Sequence, residues 1–185
     1  WYTKKMIYLI GGTARVGKST LASLILERNH ISGISTDVLR NLLDFSPTKL
    51  GINNLEEHKK TEVFFPYLLQ FLKIIQNKYT NYVVEGDLFT PQQVTLMQDT
   101  LHIKCCFLGT SNITLEDLKK IDSKLDWVSK LEPERQARLP EYLIKKSKNI
   151  KEEATKYNFP YFDIYPNRQD SLECAYKSLF FEKEV

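Results

Sequence analysis

Short apolar runs alternate along the chain with longer stretches in which apolar residues recur every three or four positions. The runs at 6–10, 31–35, 81–85, 103–108 and 160–165 have the length of strands. The stretches 18–29, 37–44, 55–78, 91–99, 114–124, 140–157 and 169–182 carry helical spacing. Thr90-Pro91 and Leu139-Pro140 place a proline near a helix start, where its missing N–H leaves no bond unmade. Five strands separated by helices predict an α/β chain, a parallel sheet covered on both faces as a three-layer sandwich, with ligands at the carboxyl ends of the strands. The stretch 55–78 is apolar around most of its circumference, from Phe64 and Phe65 to Ile74 and Ile75, which reads mainly as core packing, and Pro66 inside it is a place for a bend.

The first strand and first helix are joined by Gly12-Thr13-Ala14-Arg15-Val16-Gly17-Lys18-Ser19, a complete GxxxxGK[ST] sequence in the strand-loop-helix setting it needs. Glycines at both ends let successive backbone N–H groups turn inward on a phosphate, and the positive end of the following helix adds to that field. Lys18 is then the residue that reaches the β- and γ-phosphates, Ser19 offers its hydroxyl to Mg²⁺, and the nucleotide site runs from Gly12 to Thr20. ATP and Mg²⁺ are the cofactors this loop implies.

Composition narrows the picture further. At 185 residues and 42 % hydrophobic the chain supports one substantial core, so residues 1–185 read as one domain with at most a small insertion. A net charge of +3 is small beside 26 basic and 23 acidic residues, and no basic stripe with interleaved aromatics appears, so no nucleic-acid partner is expected. The lysine-rich stretch 145–153 reads as a solvated helix face. Gly11 and Gly12 cut the first apolar run short, so neither a membrane span nor a signal peptide is expected, and the chain reads as cytoplasmic. The three cysteines match neither a disulfide framework nor a zinc spacing and read as buried thiols in a reducing compartment. His30, His58 and His102 stand apart from any metal-ligand spacing.

Two further segments place acids where strands should end. Ile34-Ser35-Thr36-Asp37-Val38-Leu39-Arg40 puts a carboxylate beside the phosphate loop and an arginine three residues on, along the same helical face. Asp37 there can take a proton from an attacking hydroxyl while Arg40 orients an anionic part of the acceptor; the plainer alternative is a helix cap and a surface pair. Val84-Glu85-Gly86-Asp87 ends the third strand in two acids around a glycine, fit to hold Mg²⁺ or acceptor hydroxyls, although a simple turn also uses these residue types.

In order and spacing, Gly11 to Thr20, Ile34 to Arg40 and Val84-Glu85-Gly86-Asp87-Leu88-Phe89-Thr90-Pro91 resemble the small P-loop kinases of the adenylate kinase-like group, particularly proteins grouped with 2-phosphoglycerate kinase. Glu152 to Asp163 resembles the closing helix and strand of that group. The resemblance implies a P-loop NTPase fold of the nucleoside monophosphate kinase type, with a five-stranded parallel sheet and a mobile lid. By the same resemblance Arg40 matches an arginine aimed at the acceptor's phosphate in adenylate kinases. The Asp-Gly-Phe-Pro-Arg run of those enzymes is replaced here by Glu85-Gly86-Asp87-Leu88-Phe89, without the arginine, and Asp37 is a base that a phosphate acceptor would not need. Both departures favour a hydroxyl of a small-molecule acceptor.

The resemblance places a lid at about 125–140, with Arg135 and Arg138 as candidates to close on the transferring phosphoryl group, or else as an exposed pair bridging Glu132 and Glu134. It also places the adenine base against Tyr165-Pro166-Asn167-Arg168. The expected activity is transfer of the γ-phosphate of ATP to an alcohol group. A nucleoside or nucleotide kinase, a nucleotide-dependent switch and a zeta-toxin-like kinase remain alternatives.

Overall fold

A computed structural model describes residues 5–46, 49–79, 81–121 and 127–181. Strands β1 (Met6–Gly12), β2 (Gly33–Ser35), β3 (Asn81–Gly86), β4 (Ile103–Gly109) and β5 (Tyr161–Asp163) form a parallel sheet in the order β2-β3-β1-β4-β5. The register sets Ile10 beside both Glu85 and Cys106, and Ser35 beside Glu85, so the strand ends that matter for chemistry lie side by side. Every expected strand is present, with β2 and β5 shorter than the apolar runs that announced them.

The helices are α1 (Lys18–Asn29), α2 (Thr36–Phe45), α3 (Glu57–Lys78), α4 (Pro91–Gln98), α5 (Leu115–Lys120), α6 (Pro133–Lys156) and α7 (Arg168–Phe180). Because side chains alternate across a strand, β1 divides its apolar residues between two cores. Ile7 and Leu9 join Phe64, Leu68 and Leu72 of α3 and Met97 of α4, whereas Tyr8 and Ile10 join Leu21 and Ile25 of α1 and Leu172 and Leu179 of α7. A third, smaller cluster of Ile113, Leu118, Val128, Leu139 and Leu143 ties α5 to the front of α6.

Two helices depart from the periodicity reading. Helix α6 begins at Pro133, seven residues before the expected start, and Pro140 lies inside it. Pro133 is the N1 proline, and α6 continues through Pro140 because Leu139 and Leu143 are buried on either side of it. Helix α3 likewise contains Pro66 within one continuous element. The lysine-rich stretch is not wholly solvated: Lys146 turns inward, with only 17 % of its side chain exposed. Of the cysteines, Cys105 and Cys106 are buried, but Cys174 is exposed because it falls on the outer side of α7. Among the described residues no helix is long and apolar enough to cross a membrane.

Candidate active site

The phosphate loop leaves β1 at Gly12, whose φ of 140° belongs to glycine, and a Cβ there would collide with the Leu108 carbonyl oxygen of the adjoining β4. It enters α1 through Gly17, the left-handed N-cap at φ 95°. Val16 is fixed in the core, and Thr13 is fully buried with its hydroxyl 3.1 Å from that of Ser147. Lys18 Nζ donates to the Thr13 carbonyl at 2.6 Å, folded over its own loop. Burial pushes the Lys18 pKa down, and the nearby carboxylates of Asp87 and Glu85 offset only part of that. A partly desolvated cation at the N-terminus of α1 is an arrangement that gains from an arriving phosphate.

Ser19 Oγ donates to Glu85 Oε1 at 2.9 Å, which brings together the two residues expected at the metal. Glu85 is buried at the end of β3, and next to it Gly86 has no space for a Cβ because Thr36 packs against it. Thr20, the last of the expected nucleotide residues, points outward from α1. Arg15 takes φ 66°, donates to the Ile121 carbonyl at 3.0 Å and lies 5.7 Å from the centre of the Trp127 ring. Its carbonyl accepts a hydrogen bond from Arg168 at 3.4 Å. Beside Arg168, a depression of about 380 Å³ is lined by Thr110, Ile121, Tyr165 and Pro166.

On the other side of the loop a cavity of about 1010 Å³ opens, bordered by Ala14. Helix α2 contributes Asp37 and Arg40, the turn after β3 contributes Asp87, and the first turn of α3 contributes Glu57 and Lys60. Trp127 and Lys130 lie ahead of α6, which adds Arg135, Arg138, Tyr142 and Lys146, spaced at three or four residues along one face. The sequence-derived candidates Asp37, Arg40, Asp87, Arg135 and Arg138 therefore share one cavity. Residues 122–126, including the start of the expected lid at Leu125 and Asp126, lie outside the described residues.

Asp37 does not cap α2; Ser35 does, accepting from the Asp37 N–H at 3.3 Å. The Asp37 carboxylate instead pairs with Arg40 at 3.1 Å, one turn along the helix. Lys146 bridges Asp87, at 3.5 Å, and Glu57. Burial would raise the Asp87 pKa, but the charges of Lys146, Lys18 and Arg40 outweigh it and hold the carboxyl below its ordinary value. For Lys146 burial acts downward, and Asp87 and Glu57 together more than reverse it. Six basic and three acidic side chains line the cavity, and Lys60, Lys130, Arg135 and Arg138 make no ion pair with a described residue. The alternative in which Arg135 and Arg138 bridge Glu132 and Glu134 is not what the side chains do. A cavity with this balance favours an anionic ligand.

Glu57, Lys60, Tyr142 and Lys146 escaped the sequence reading. A signal for Lys146 existed: it continues the spacing from Arg138 and Tyr142, one position from the buried row Leu139, Leu143 and Ser147. Glu57 carried none, because only the tertiary fold brings α3 to α6. His58 lies 3.7 Å from Glu56 at the surface, and no group of three or more His, Cys, Asp or Glu that could hold a metal ion occurs among the described residues.

No protein-family model matches the chain, and no curated protein matches it in sequence. Solved structures do. The shikimate kinase of Bacteroides thetaiotaomicron superposes with a TM-score of 0.58 over 92 % of this chain and 96 % of that one, at 15 % identity. The chain has the fold of shikimate kinase. Acinetobacter baumannii shikimate kinase, in complex with shikimate, gives a TM-score of 0.57 at 15 % identity, covering all of this chain and 97 % of its own. A gluconokinase from Sinorhizobium meliloti gives 0.56 at 11 % identity, over 96 % and 92 %. At these identities the likeness is one of fold, the P-loop NTPase fold with a five-stranded parallel sheet.

Proposed function

We propose that the chain is an ATP-dependent phosphotransferase that moves the γ-phosphoryl group to a hydroxyl of an anionic small molecule. One observation carries the reading: a complete phosphate loop, with its lysine desolvated, opens directly onto a cavity lined both by carboxylates and by cations that make no ion pair with a described residue. The neighbours' printed activities, on shikimate and gluconate, agree with an acceptor that bears a hydroxyl and a negative charge. Closer grouping with 2-phosphoglycerate kinase rests on the sequence motifs alone. Buried Cys105 and Cys106, both free, support a reducing, cytoplasmic setting.

The Ser19 hydroxyl and Glu85 carboxylate, already 2.9 Å apart, are hard oxygen donors of the kind Mg²⁺ takes together with phosphate oxygens. Bound there, Mg²⁺ would neutralise charge on the β- and γ-phosphates. Lys18 releases the Thr13 carbonyl and turns to the phosphates. Asp37 accepts the acceptor's hydroxyl proton as the new P–O bond forms and the bond to the β-phosphate oxygen breaks, and ADP leaves. Arg40 holds Asp37 in place, while Asp87, kept ionised by its lysines, is suited to accept a hydrogen bond from an acceptor hydroxyl. Arg135 and Arg138 are the cations available to close over the transferring group, in the role of a lid.

The test is ATP consumption with Mg²⁺ across glycerates, sugar acids, nucleosides, nucleoside monophosphates and hydroxyl-bearing antibiotics, with Lys18→Ala as the blank. A hydroxy acid that raises turnover supports the reading. Stimulation by an uncharged nucleoside alone contradicts the anionic acceptor, and a flat panel contradicts the transferase. Asp37→Asn is expected to lower kcat by about 10²-fold or more with nucleotide affinity within about twofold.

A further inference from the structure

Three of the five buried polar residues among those described meet at one hydroxyl. Ser147 Oγ accepts the Thr110 backbone N–H at 3.0 Å and lies 3.1 Å from Thr13 Oγ1. The Tyr161 hydroxyl closes in from β5, and Gly109 admits it because a Cβ there would meet both that hydroxyl and Ser147. Packing alone would be served by alanine, the residue at 154, two turns further along the same buried face of α6. Thr13, Thr110 and Ser147 belong to different parts of the site. Thr13 is in the phosphate loop and its carbonyl holds Lys18; Thr110 lines the depression beside Arg168; and Ser147 itself follows Lys146 on the helix that walls the larger cavity.

We propose that Ser147 is a positioning residue that couples the acceptor-facing helix α6 to the phosphate loop, so that a nucleotide bound on the loop is felt along the face carrying Tyr142 and Lys146. The proposal rests on the phosphate loop binding nucleotide. Its physical basis is that a hydrogen-bonded hydroxyl in a dry interior fixes its partners sharply, and a buried donor left without its acceptor is costly. The Thr110 N–H donates to the Ser147 oxygen and the Thr13 hydroxyl shares a hydrogen bond with it, so neither the loop nor the helix can shift without disturbing the other.

The experiment titrates MgADP by calorimetry into the full chain, and follows amide hydrogen exchange with and without MgADP, for wild type, Ser147→Ala, Ser147→Cys and Thr13→Val. In wild type MgADP should slow exchange in the loop and in residues 139–147 of α6. In Ser147→Ala binding should weaken about fivefold to tenfold, with protection kept in the loop and lost in α6. Thr13→Val should behave alike, and the double variant should be no worse than either single one. If Ser147→Ala does not fold, Ser147→Cys, close in volume and a poor hydrogen-bonding partner, carries the test. A variant that binds within twofold of wild type and still protects α6 overturns the coupling, even if its melting temperature falls. Wild type that fails to bind MgADP overturns the nucleotide reading itself, and the coupling with it.

Discussion

Lys18 shows how a residue can be kept at a cost to the empty protein. Its burial lowers its pKa, so the folded state disfavours the charged form that the unfolded chain carries freely, and the penalty applies throughout the neutral range. Lys18→Met is therefore expected to raise the melting temperature of the nucleotide-free protein by about 2–4 °C, the equivalent of about 1 kcal/mol in a chain of this size, while abolishing the rise that MgADP gives wild type; calorimetric scans with and without MgADP check both. Lys146 behaves in the opposite way. Asp87, lowered in the fold, adds stability that is present above its unfolded value of about 3.9 and lost as pH falls through the depressed one. Lys146, raised in the fold, adds stability present below about 10.4 and lost as pH climbs through the raised value. Removing the cation leaves Glu57 and Asp87 facing each other. Urea unfolding should find Lys146→Met about 1–3 kcal/mol less stable at pH 7, with the gap narrowing below about pH 4 as Asp87 protonates.

At the scale of elements, the junction of β3 with α2 is set by a close approach. The side chain of Thr36, the first residue of α2, occupies the space a Cβ on Gly86 would need, and this brings Asp37 and Arg40 alongside Glu85 and Asp87. Gly86→Ala must push α2 away from the sheet. It should cost about 2 kcal/mol in denaturant unfolding and lower turnover as well, because Asp37 moves with its helix. Helix α6 is the second decisive element: its buried row packs on the core while Arg135, Arg138, Tyr142 and Lys146 face the cavity. Its two prolines conceal its length from a propensity reading, since Pro140 looks like a start and is an interior residue held by packing.

Over the whole molecule, the front of α6 rests on the small cluster with Val128, Leu118 and Ile113, apart from the two cores that clamp the sheet. That wall carries Arg135 and Arg138 on a cluster of its own. The paired substitution Arg135→Ala, Arg138→Ala should lower kcat by about 10²–10³-fold while MgADP affinity stays within about threefold; single-turnover kinetics with the stimulating acceptor from the panel would measure it. Equal loss in MgADP affinity would mean that these arginines hold nucleotide rather than act during transfer.

The order of elements, the phosphate loop and the acids at the strand ends were legible in the chain itself, because each follows from local rules. Period two or 3.6 sets the element, glycine sets the turn at Gly12 and Gly17, and Lys18 and Ser19 stand at fixed offsets from those glycines. Asp37 and Arg40 were legible for the same reason, three residues apart on one helix. What brought Glu57 and Lys60 to face Lys146 was tertiary: α3 and α6 are distant in sequence and meet only because both pack on the same parallel sheet. The inward turn of one lysine in a lysine-rich stretch, and the meeting of Thr13, Thr110 and Ser147 at one oxygen, have the same origin. Local sequence fixes where a side chain can point, and the fold alone decides what it finds there.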